Sequence, residues 1–159
     1  MSADQNTPDA GATPSGFDNE MAEILESFVV EANEILERLN QDLLALEKRP
    51  DDKELHNTIF RAVHTIKGTS SFLGFEQMTE LAHKFEDVLN KIRKGELSVT
   101  PDKMDVMFEA YDFLKILLQR LESKNKEPIE LSEIITRLEQ LSQNEPAAAL
   151  QQKPEAKEQ

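Results

Sequence analysis

The chain contains no cysteine, which excludes disulfides, thiolate metal sites and Cys–His catalysis and makes a reducing cytoplasm the expected compartment. No apolar run approaches the ~20 residues needed to span a membrane. The opening residues, MSADQNTPDAGATPSG, lack the basic start and apolar middle of a signal peptide. Basic residues are scarce: 18 Lys and Arg stand against 31 Asp and Glu, a net charge of -13. Binding to phosphate backbones needs clustered cations, so neither nucleic acid nor an anionic membrane surface is an expected partner. There is no glycine-rich phosphate loop and no HExxH motif. Histidine occurs only at His56, His64 and His83, and glycine only five times.

What remains is helical. The 159 residues suffice for one domain with a core and some tail. Residues 1–17, rich in Ala, Gly, Pro, Asp and Thr, have little to bury and are expected to be disordered. Residues 146–159 have the same character and read as the start of a flexible linker. Between them, apolar residues recur every three or four positions in five stretches. The first runs from Asp18, an N-cap candidate, to about Lys48. The second spans about 52–73 and stops at Gly74; the third spans about 76–94 and stops at Gly95. The fourth opens on Thr100 as N-cap with Pro101 in the first turn, and a shorter fifth covers about 129–143. No stretch alternates with period two. The predicted fold is all-α: an antiparallel up-down four-helix bundle over 18–145 with an additional fifth C-terminal helix.

One stretch breaks the local rules. In RAVHTIKGTSSFLGF, residues 61–75, a glycine stands inside a helix, where it costs about 1 kcal/mol relative to alanine. Gly68 lies one turn after His64 on the same face. If the second and third helices fold back at Gly74, residues equally far from it meet. His64 is ten before, His83 nine after and Glu86 twelve after. Arg61 and Lys67 flank His64 at minus three and plus three. A hydrogen bond from Nδ1–H of His64 to Glu86 would fix the ring and leave Nε2 as a nucleophile. Lys67, with Arg61 or Lys84, would then neutralise a phosphoryl group carried there, and Gly68 would leave room for a partner to close over it. Such a site is a carrier and not a catalyst. The same residues also admit a metal set of His64, His83 and Glu86, or a purely structural helical adaptor. His56 has no comparable context and reads as structural.

FRAVHTIKGTSSFLGF resembles the signature of histidine phosphotransfer (Hpt) domains, most closely that at the N-terminus of the chemotaxis histidine kinases of the CheA type. His64, Thr65, Ile66, Lys67, Gly68, Phe72, Gly74 and Phe75 match the pattern. In LAHKFEDVLNKIRKGEL, residues 81–97, His83 and Glu86 fall where the family places a histidine and a glutamate beside the phosphoacceptor. The resemblance implies that His64 takes a phosphoryl group from an ATP-binding kinase catalytic domain and passes it to an aspartate on a response regulator receiver domain. It implies no cofactor in this chain, with ATP and Mg on the kinase domain and Mg on the receiver. Either the chain is a piece of a longer kinase or the kinase acts on it in trans. Alone, it is expected to be a monomeric phosphocarrier and not an enzyme.

Overall fold

Capping residues fix where the helices begin and end. In the computed structural model, which describes residues 6–143 and side chains from residue 19 onward, these are α1 (Asn6–Lys48), α2 (Lys53–Leu73), α3 (Glu76–Arg93), α4 (Pro101–Glu122) and α5 (Ser132–Gln143). Asp52 caps α2, its carboxylate accepting from the amides of Glu54 at 3.1 Å and Leu55 at 3.2 Å. Thr100 caps α4 by accepting from the amide of Lys103. Gly74 ends α2 with φ +82°, a left-handed conformation costly for any residue with a Cβ. Its turn is closed by the Phe75 amide donating to the Ser70 carbonyl at 2.9 Å.

Around the ring α1 packs on α2, α2 on α3, α3 on α4 and α4 on α1, while α5 lies against α3 and α4. The apolar stripes meet in one core. Leu39 and Leu43, Ile59 and Val63, Leu81 and Phe85, Met107 and Leu114, and Leu138 of α5 are fully buried. Each such side chain contributes roughly 1.5–3 kcal/mol of transfer free energy. Two polar links set the positions of α3 against its neighbours. Ser70 and Thr79 share a hydroxyl hydrogen bond of 2.9 Å across the α2–α3 turn. The Gln77 side chain both donates to the Ile129 carbonyl and accepts from its amide.

Two boundaries differ from the sequence reading. The first helix begins at Asn6, so Asp18 lies inside it and is no N-cap, and residues 6–17 are helical where disorder was expected. Once the 18–48 segment is nucleated, further residues extend it at the gain of one hydrogen bond each, except at Pro14, which has no amide hydrogen; Ala10 and Ala12 favour the extension and Gly11, Pro14 and Gly16 oppose it. The fifth helix starts at Ser132 and not at Ile129, because both backbone groups of Ile129 are held by Gln77. Residues 1–5 and the expected linker at 146–159 lie outside the described residues.

The two glycines of the motif should respond in opposite directions. Gly74→Ala forces a left-handed alanine and should cost ~1–2 kcal/mol. Gly68→Ala gains helix propensity, and its Cβ would meet nothing within 4 Å, so it should stabilise by up to ~1 kcal/mol. Urea unfolding of the two variants checks both signs.

Candidate functional site

Among the described residues only two polar side chains are buried, Ser70 and Glu86. Ser70 is satisfied within the α2–α3 turn. Glu86, 7% exposed, is a carboxylate in the seam between α2 and α3, and a buried charge must find partners. It finds two. Oε2 accepts from Nδ1 of His64, and Oε1 pairs with Nζ of Lys67 at 2.6 Å. His64 and Lys67 are one turn apart on α2, so one carboxylate bridges a helical turn of its neighbour.

The electrostatics follow from this arrangement. Burial alone pushes the Glu86 carboxyl up, but the hydrogen bonds and charges of Lys67 and His64 together outweigh it, and the group sits below the ordinary glutamate range. Glu86 is therefore ionised at neutral pH and acts only as an acceptor. The hydrogen between it and His64 must be on Nδ1, which leaves the Nε2 lone pair of the neutral ring available. The His64 side chain is 58% exposed, and Nε2 has no partner among the described residues. A nucleophilic nitrogen thus faces solvent on a ring whose other nitrogen is fixed.

Two residues beside the site were not anticipated. Phe60, one turn earlier on α2, stacks on the imidazole with ring centroids 5.8 Å apart and planes inclined by 16°. Arg93 of α3 places its guanidinium carbon 4.1 Å from the Phe60 centroid. Spacing could have placed Phe60, four residues before His64, on the same face.

Other expected members are placed elsewhere. Lys67, expected to face a phosphoryl group, is engaged by Glu86. Arg61 is exposed and lines a shallow groove against α1 with Glu31, Glu34 and Asp42. His83 turns outward, its Nε2 lying 3.7 Å from Asp87 of the following turn. Lys84 reaches α5 and pairs with Glu139 at 3.0 Å. His64, His83 and Glu86 are consequently not gathered as a metal set, and no group of three His, Asp or Glu residues suited to a metal occurs among the described residues. His56 is structural, its Nε2 donating to the Pro50 carbonyl at 2.7 Å. Gly68 is exposed with open space above it, so close helix packing is not its reason. Within the motif, Phe75 packs on Phe28 at 5.5 Å, whereas Phe72 is 84% exposed.

The lowered value of Glu86 gives a pH-dependent contribution of known sign. Its folded value is below its unfolded one, so its contribution is complete above the ordinary glutamate range and is lost as the pH falls below it. Glu86→Gln should be less stable than the parent by about 1–2 kcal/mol at neutral pH. The gap should close on acidification, as read by chemical denaturation across the pH range.

Comparison with known proteins agrees with this geometry. The family model for the Hpt domain matches residues 23–124. The sensor histidine kinase CheAY of Helicobacter pylori is 41% identical over 143 residues, covering 87% of this chain and 18% of that protein. The chain thus spans under a fifth of the length of the curated relatives it matches. The solution structure of the histidine phosphotransfer domain of CheA superposes with a TM-score of 0.68 at 35% identity, covering 74% of this chain and 90% of that one. The phosphorylated P1 domain of CheA3, solved in complex with CheY6 from R. sphaeroides, gives 0.67 at 25% identity, covering 76% and 95%. A four-helix bundle with a fixed, outward-facing imidazole and a family match over most of the bundle lead to one conclusion: the chain belongs to the histidine phosphotransfer domain family.

Proposed function

We propose that the chain is a phosphocarrier in a chemotaxis-type two-component system, with Nε2 of His64 as the phosphoacceptor. The observation that carries this reading is the Glu86–Nδ1 hydrogen bond, which leaves Nε2 bare and exposed. In the first step the Nε2 lone pair attacks the γ-phosphorus of ATP held by a kinase catalytic domain. A P–N bond forms as the bond to the β,γ-bridging oxygen breaks, and ADP leaves. The ring keeps its proton on Nδ1 and becomes a phosphorylated imidazolium. Ionised Glu86, already in place, stabilises that developing cation without reorganisation. Lys67 holds the carboxylate ionised and oriented.

In the second step a carboxylate oxygen of a receiver aspartate attacks the same phosphorus. The P–N bond breaks, its electron pair returns to Nε2, and neutral His64 is regenerated. A receiver is the acceptor proposed because the similar CheA3 domain was solved, phosphorylated, with CheY6. ATP, its magnesium and the receiver's magnesium belong to the partners in this reading. The chain supplies the nucleophile and its setting, so the carrier alone is not an enzyme, and an ATP-dependent donor places it in the cytoplasm. The open space above Gly68 gives each partner's active site room to close on Nε2.

His64→Gln keeps the side chain's bulk while removing the nucleophile. With a CheA-type kinase domain and radiolabelled ATP, this variant should fall to background for acid-labile, base-stable label. Its helical content should match the parent, and label persisting on it would refute the assignment.

A further inference from the structure

The hydrogen bond to Glu86 fixes one atom of the imidazole but not its plane. Coupled rotation about the Cα–Cβ and Cβ–Cγ bonds can still tilt the ring while keeping Nδ1 within reach of Oε2, and 58% of the side chain is exposed. Nε2 would swing with it. A second constraint, perpendicular to the first, comes from the near-parallel Phe60 ring, at a centroid distance within the 4.5–7 Å range of favourable aromatic pairs. Phe60 is itself half-buried against the core. Arg93 covers it from α3 and is in turn oriented by donating from Nη2 to Asn90 Oδ1 at 2.7 Å. Arg93 is exposed, and among the described residues its hydrogen-bond partner is this asparagine of its own helix. Its contact with Phe60 links α3 to α2.

We propose that Phe60 is a positioning residue for His64, with Arg93 fastening Phe60: the hydrogen bond fixes the ring's in-plane direction, the stack fixes its face, and together they aim Nε2. The inference rests on the reading of His64 as phosphoacceptor and adds the pair that makes its geometry reproducible. It assigns Arg93, outside the motif, a part in phosphotransfer although it touches neither the imidazole nor the phosphoryl group.

The test uses the full chain with phosphoramidate as a small phosphodonor, so that docking of a kinase does not enter. Phe60→Leu keeps apolar bulk and loses the stack; Phe60→Tyr keeps the ring. Phosphorylation of His64 should slow about two- to tenfold in Phe60→Leu and recover in Phe60→Tyr. The His64 ring-proton NMR resonances, shielded by the stack, should move downfield in Phe60→Leu and stay in place in Phe60→Tyr. A merely structural role would lower the melting temperature without this pattern. Arg93→Gln leaves the core untouched and should give a smaller change of the same kind, which keeps the test available if Phe60→Leu does not fold. Parent-like rates in folded Phe60→Leu and Arg93→Gln would overturn the proposal. A parent chain that takes up no phosphoryl group would instead overturn the phosphoacceptor reading. The positioning role would then be decided by the resonances alone, and unshifted ones would refute it.

Discussion

A buried carboxylate bridging one turn of a neighbouring helix is the constraint on which this structure depends. Glu86 has little access to water, and its charge would be costly there by several kcal/mol without partners. His64 and Lys67 supply them, and both remain partly in solvent. The attraction is therefore moderated by screening, and its net effect on stability stays within about 1–2 kcal/mol. Its effect on chemistry is larger, because the same contact decides which imidazole nitrogen carries the proton and holds a negative charge where a cation develops.

That contact needs α2 and α3 in one register. The left-handed Gly74, the Phe75 amide on Ser70 and the Ser70–Thr79 hydroxyl pair set the turn, and the distance from it puts Glu86 opposite His64. The fifth helix secures α3 from behind. Lys84 binds Glu139, Gln77 clasps Ile129, and Arg137 of α5 pairs with Glu109 of α4. Lys84, which looked like a site member, is one of the ties on the opposite side of α3. The exposed stripe of α2 is left open: an imidazole edge, a glycine and no covering side chain.

Helix identity and several helix ends were legible because the apolar spacing and the Gly74, Thr100 and Gly95 signals agree with one another. The His64–Glu86 pair was legible too, since counting from a hairpin turn fixes axial level. Counting does not fix azimuth. Three residues advance a helix by 300°, so His83 lies about 60° around α3 from Glu86, on its exposed side. Arg61 and Lys67 lie about 60° to either side of His64 and so about 120° apart: one flanks α1 and the other α3, although both are three from His64. Phe60 was missed because an aromatic at i−4 reads as core, and Arg93 because a surface cation two turns away has no signal until the helices are packed. The early start of α1 was missed because composition measures what a segment can bury and not whether an existing helix will propagate through it.

The tautomer of His64 tests the central pairing most directly. Long-range 1H–15N correlation spectra at alkaline pH, where the ring is neutral, distinguish the protonated from the bare nitrogen. The structure predicts the proton on Nδ1 and a bare Nε2 in the parent chain, with that preference lost in Glu86→Gln. A proton on Nε2 in the parent would contradict it, because the nitrogen assigned as nucleophile would have no lone pair to offer.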